Sequence, residues 1–189
     1  MASYAGGDQP SSATSIGTRT IVVSGLLAAI QIVLGLTQLG FIPTPTGVQA
    51  TILHIPTVIA GALEGPIAGV AVGLIFGIFS FLRATNPAFA DPLVSIVPRL
   101  FPGLVAWAVF VALRRFNLGV AAAAAGALGT LTNTVLVLGM GMLRGYFPPE
   151  LAVTVATTNG PFEILIAAII TPAVVLAVAG RGTPRRSSV

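Results

Sequence analysis

Six runs of apolar residues, separated by short stretches rich in glycine, proline and arginine, organise the chain: residues 21–39, 48–63, 67–82, 93–113, 118–143 and 151–179. A helix that crosses a bilayer needs about 20 such residues. The first, fourth, fifth and sixth runs satisfy this, and the last two are long enough to tilt or to project beyond the hydrocarbon. The second and third runs are marginal, read either as two short spans or as a re-entrant pair. Either way the two termini stay on the same side. The pattern predicts an all-α polytopic membrane protein with six transmembrane helices, the second and third joined tightly through Glu64, Gly65 and Pro66. Residues 1–18, rich in Gly, Ser, Ala and Thr, read as a disordered tail. They do not read as a signal peptide, because no basic residue precedes Arg19. Residues 19–180 form one membrane domain, and residues 181–189 a basic tail.

Composition sharpens this reading. Of 189 residues, 55% are hydrophobic and 7% charged, against about 25% charged in an average soluble domain. All nine basic residues are arginines and most flank apolar runs, so they act as topology determinants. With the N-terminus inside, Arg19, Arg114, Arg115, Arg181, Arg185 and Arg186 are cytoplasmic, whereas only Arg83 and Arg144 lie outside. Both termini are therefore expected in the cytoplasm. No basic stripe with interleaved aromatics points to nucleic acid. The absence of cysteine removes disulfides and thiolate chemistry. A single histidine, His54, removes any His-pair metal site. No GxxxxGK[ST], HExxH or GxSxG pattern occurs. No catalytic residue, metal or cofactor is expected.

So few charges make those inside apolar runs informative, since each costs about 2.5–3.5 kcal/mol at mid-membrane. At 1.5 Å per helical residue, His54 and Arg99 fall roughly 9 Å below the outer ends of their helices, Asn159 roughly 12 Å, Asn133 roughly 15 Å and Glu163 roughly 18 Å. Polar groups from four helices thus share one layer of the outer half. Arg99 has three readings: snorkelling to headgroups, recognition of a carboxylate or phosphate, or a structural pair with Glu163. Asn159 and Glu163, four apart, share a helix face, and Pro161 between them frees a backbone carbonyl. His54 and Asn133 serve either as structural hydrogen-bonding groups or as ligand contacts, Asn133 with Thr130 and Thr134 nearby. The loop 40–47, stiffened by Pro43 and Pro45 and ending at Gly47, and the loop 83–92 are suited to cap this layer. Tyr146 and Phe147 belong to the outer interface, where an aromatic belt is the default.

Small residues form a second pattern. Gly65, Gly69, Gly73 and Gly77 recur every four positions, and the first run carries the interlocked pairs Ser24/Ala28 and Gly25/Ala29. Such spacing lets helix backbones approach closely, either inside the bundle or against another membrane subunit.

Residues 40–84 and 89–107, with HIP at His54–Pro56, the Glu64-Gly65-Pro66 turn and PLVSIVPR at Pro92–Arg99, together resemble the substrate-binding S components of energy-coupling factor (ECF) vitamin transporters. The final third is similar in hydropathy and in its Asn159…Glu163 element. The resemblance implies a six-helix bundle that binds a vitamin in its outer half under the loop after helix one. It also implies partners, namely a membrane scaffold subunit and two ATP-hydrolysing subunits. Docking would use a small-xxx-small motif on helix one, here Gly25 and Ala29 with Ser24 and Ala28 beside them. Arg99 favours an anionic vitamin. Pantothenate is the first expectation, with cobalamin and riboflavin open. The alternatives are a stand-alone proton-coupled carrier using Glu163 and a ligand-free structural subunit.

Overall fold

A computed structural model describes residues 17–44 and 49–180. The expected terminal tails, with Arg181, Arg185 and Arg186, and the loop positions Pro45 and Gly47 lie outside the described residues. The chain forms α1 (Thr18–Leu36), β1 (Phe41–Ile42), β2 (Ala50–Thr51), α2 (Ile55–Glu64), α3 (Pro66–Leu82), α4 (Pro92–Ser95), α5 (Phe101–Leu113), α6 (Leu118–Leu143), α7 (Pro149–Thr158) and α8 (Gly160–Gly180). Two 3₁₀ turns, Pro87–Ala90 and Val97–Leu100, flank α4.

The helical architecture follows the apolar pattern, but its segmentation follows proline. Four stretches are long and apolar enough to cross a membrane: Thr18–Leu36, Pro92–Leu113, Leu118–Leu143 and Pro149–Ala179. Of the six expected spans these four have the length to cross, and the two marginal runs form shorter apolar helices, α2 and α3. At 1.5 Å per residue α2 reaches only about 15 Å, half of a hydrocarbon core of about 30 Å. Its start is set by Pro56, which lacks an N–H and is tolerated only in a first turn. The residues before it, expected to be helical, instead pair back on the chain after α1. Phe41 faces Thr51 and Ile42 faces Ala50 in a two-stranded antiparallel ribbon. The fourth apolar run is likewise broken, with Pro98 and Pro102 confining it to a short helix, a 3₁₀ turn and α5. The sixth run breaks between α7 and α8, beside Pro161.

Burial explains why a ten-residue helix persists in such a bundle. Every residue of α2 from Ile55 to Ala62 is buried, so α2 is core rather than lipid-facing surface. Val58 joins Ala106, Phe110, Ala121, Ala122, Ala125 and Val175 in one cluster, while Ile55, Ile59 and Ala60 join Leu27, Ala28, Val72 and Ala167 in another. Gln31 on α1 reaches into this region and donates through Nε2 to the Leu53 carbonyl and to Thr57 Oγ1. It secures the turn that launches α2.

Glycine provides the close approach. Gly61, Gly69 and Gly103 meet where α2, α3 and α5 cross, and a Cβ on Gly103 would stand 2.6 Å from the Gly69 Cα. Gly73 and Gly77 abut the backbone of Arg99 and of Ser95–Ile96. The stripe on α3 therefore serves packing within the bundle. Gly65 is not part of that surface: its φ of 100° makes the turn into α3, in a region that L side chains rarely adopt. On α1, by contrast, Gly25 has nothing within 4 Å of an added Cβ. Gly61→Val is expected to cost about 1–3 kcal/mol through overpacking, read as a lower melting temperature of the purified chain. Gly25→Ala is expected to leave that temperature unchanged.

Candidate functional site

Breaks in three elements converge on a cavity of about 160 Å³ at the ribbon end of the bundle. The ribbon contributes Gln49 and Thr51. Asn86 and Phe89 come from the loop before α4, and Arg99 from the 3₁₀ turn. Asn133, Thr134, Val137 and Leu138 come from α6, Phe147, Leu151 and Val155 from α7 and its approach, and Asn159 and Glu163 from the α7–α8 junction. The lining is mostly apolar with a few convergent polar groups, the usual make-up of a small-molecule site.

Local chemistry explains each placement. Asn86 accepts the Ala88 N–H at 2.9 Å and Asp91 accepts the Leu93 N–H at 2.9 Å, so each caps the turn that follows it. The Ser95 hydroxyl donates to the Phe89 carbonyl and ties that turn to α4. These caps deliver Arg99 to the cavity from an irregular stretch. Its guanidinium stacks between Phe76 and Phe89, 5.1 and 5.2 Å from the ring centroids, and Nη1 donates to the Val94 carbonyl at 2.9 Å. The side chain is turned inward, with Arg99 only 6% exposed, which a snorkelling arginine would not be. Nε has no hydrogen-bond partner. Among the described residues the ion pairs are Arg19–Glu64 and Arg144–Asp91, so Arg99 and Glu163 do not form one. A buried charge is costly unless paired, and the aromatic faces supply only part of that compensation. The cavity therefore presents an uncompensated cation.

Asn133 is also buried on the cavity wall, and its Oδ1 has no partner. Asn159 is 2% exposed and Glu163 sits one helical turn beyond it, with the Glu163 N–H donating to the Asn159 carbonyl at 3.0 Å. Of the five residues expected in the layer, Arg99, Asn133, Asn159 and Glu163 come together. His54 does not line the cavity. It precedes α2, fully buried, with Nε2 2.9 Å from Thr130 Oγ1 on α6. The helix start imposed by Pro56 places its ring against α6 rather than on the cavity wall.

Several lining residues escaped sequence reasoning. Gln49 and Thr51 lie in an apolar run that hydropathy makes helical, although Pro56 marks where that helix must begin. Asn86 and Phe89 lie in a loop whose Asn86-Pro87 and Asp91-Pro92 pairs are turn signals. Phe147, which hydropathy places at the interface, instead packs its ring where a Cβ on Gly141 would stand and reaches the cavity. The turn that carries it needs Gly145, with φ 76°.

A further tie holds the loop that carries Asn86 and Phe89. Arg144 Nε donates to Asp91 Oδ2 at 2.7 Å, joining the end of α6 to the loop before α4. That hydrogen bond, reinforced by the Leu93 N–H, holds the Asp91 carboxyl below its ordinary value of 3.8. Stability from this pair is therefore complete above the ordinary carboxylate value and is lost as pH falls through the lowered one. Arg144 is half exposed, so solvent screens the pair. Lowering the pH below about 4 is expected to depress the melting temperature more in the wild-type chain than in Asp91→Asn, with the two curves parallel above it.

A helical bundle of membrane-spanning character around a mostly apolar cavity with a few convergent polar groups defines a membrane subunit built to hold a small molecule. Residues 19–175 match the model of the ECF transporter substrate-specific component, and the chain belongs to that family. It is similar to the pantothenic acid transporter PanT of Lactococcus lactis subsp. cremoris (strain MG1363), 29% identical over 182 residues that cover 82% of this chain and 91% of that protein. Its fold is that of ThiT from Listeria monocytogenes, with a TM-score of 0.64 and 15% identity, covering 86% of this chain and 96% of the other.

Proposed function

We propose that this chain is the pantothenate-binding subunit of an ATP-driven ECF importer in the cell membrane. The observation that carries the substrate assignment is Arg99, a buried guanidinium on the cavity wall without a carboxylate partner. A carboxylate ligand would supply the missing charge and pair with the guanidinium. Pantothenate offers one carboxylate, a central amide and two hydroxyls. Asn133, with its orphaned Oδ1, and Asn159 suit the amide and hydroxyls, and Glu163, its oxygens held by Thr51 and Thr134, shapes the wall beside them. The similarity to PanT supports the same ligand. A cavity of about 160 Å³ favours a small chain-like vitamin over a corrinoid. His54 is a supporting group for α6 rather than a ligand contact.

In this reading the ribbon covers the site on the outer side, with Pro43 at the end of β1, and both termini face the cytoplasm, as the arginine distribution favours. The ATP-hydrolysing subunits act through a membrane scaffold. The docking surface on α1 centres on Gly25 and Ala29, which are exposed; of the other expected pair, Ala28 packs into the core instead and Ser24 is half-buried. The open space at Gly25 supports this.

Arg99→Ala is expected to weaken pantothenate binding to the detergent-purified chain by about 1.5–3 kcal/mol, the range for hydrogen bonds to charged groups. Isothermal titration measures it, and the neutral alcohol analogue of pantothenate should bind the wild-type chain and Arg99→Ala about equally weakly. An unchanged dissociation constant for pantothenate would remove Arg99 from the site. Gly25→Leu is expected to abolish co-purification with the scaffold while leaving pantothenate affinity within twofold.

A further inference from the structure

Glu163 stands on the cavity wall, yet both its oxygens are engaged by the protein. Oε1 accepts the backbone N–H of Thr51 at 2.6 Å, across 112 residues of sequence, and Oε2 accepts the Thr134 hydroxyl at 3.3 Å. The partner on the ribbon is available because of the strand register. In an antiparallel pair, hydrogen-bonded and non-hydrogen-bonded residue pairs alternate. Ile52 N–H donates to the Gly40 carbonyl at 2.9 Å, so the next pair, Thr51 and Phe41, is of the non-bonded kind. The Thr51 amide therefore points away from β1. Without Glu163 it would be a backbone donor unmet at the edge of an apolar cavity.

The ribbon has only two residues in each strand, too little for a hairpin to hold itself in place. Its base is secured where Gln31 bonds the Leu53 carbonyl. Its cavity face, carrying Gln49 and Thr51, meets α8 through the carboxylate. We infer that Glu163 is a positioning residue, a latch that holds the β1–β2 ribbon against α6 and α8 as one wall of the cavity and thereby governs how fast a bound ligand leaves.

Amide hydrogen exchange on the ligand-free purified chain tests the latch directly. In Glu163→Leu the amides of residues 49–52 are expected to exchange at least about tenfold faster than in the wild-type chain, because a hydrogen bond to a charged group is lost. The middle of α6 should keep its protection. Glu163→Gln, which retains an acceptor oxygen without charge, should lie between, and Thr51→Val, which retains the backbone N–H, should match the wild-type chain. Unchanged protection at 49–52 in both Glu163 variants would overturn the latch, as would an equal rise throughout the bundle. The consequence for release rests on the pantothenate reading: Glu163→Gln should raise the pantothenate off-rate with the on-rate unchanged, and an unchanged off-rate with pantothenate bound would overturn the kinetic role. A wild-type chain that fails to bind pantothenate would count against that reading alone, since the exchange measurement uses no ligand.

Discussion

The positive charge of Arg99 is enclosed by two phenyl rings, bonded to one backbone carbonyl and left without a carboxylate. An apolar, low-dielectric interior magnifies the cost of that arrangement, and the surrounding structure serves to maintain it. Phe76 comes from α3 and Phe89 from the loop before α4, so stacking fixes the relation of those two elements. The loop is held in turn by Asn86, Asp91 and Ser95. On its open side the guanidinium faces a cavity with the orphaned carbonyl of Asn133 nearby on the wall. Under the proposed function, stability and ligand recognition draw on the same residue in opposite senses, as is common where a fold retains a costly group for function.

Proline and glycine divide the construction between them. Pro56, Pro98, Pro102 and Pro161 interrupt runs that hydropathy alone would leave helical, and each interruption falls where a polar residue must face inward. Irregular backbone at membrane depth is tolerated where it is buried in protein or lines a cavity, and these breaks meet that condition. Gly61, Gly69, Gly73, Gly77 and Gly103 then bring α2, α3 and α5 close enough for the short α2 to be enclosed. Without the breaks the polar side chains would be distributed along straight helices. Without the glycine contacts the broken pieces would not pack.

Two features of the ends of the bundle differ in kind. Where α1 meets the α2–α3 turn, Thr20 and Arg19 both reach the buried carboxylate of Glu64, a contact that joins α1 to the core while its Gly25 surface stays open. At the other end the Asp91–Arg144 pair and the Glu163–Thr51 bond link loops that are far apart in sequence. The first is partly exposed and screened, the second enclosed. A membrane subunit that both retains a ligand and engages a partner is compatible with this separation, the cavity at one end and the open helix surface along α1.

Hydropathy and charge were sufficient to determine an all-helical membrane protein, the long helices α1 and α6 within a few residues, and a set of five polar positions of which Arg99, Asn133, Asn159 and Glu163, but not His54, line one cavity. Those conclusions depend on one-dimensional quantities: the length of apolar runs and the cost of any charge within them. The division of the remaining runs was also written in the chain, at Pro56 and Pro98, but a proline shows only that a helix is interrupted, not where the freed segment goes. That Gln49 and Thr51 fold back to wall the cavity, that His54 turns to Thr130 instead, and that Arg99 and Glu163 stay apart were decided by tertiary packing. Each depends on the direction of a side chain relative to elements remote in sequence, and direction is fixed only when helices cross.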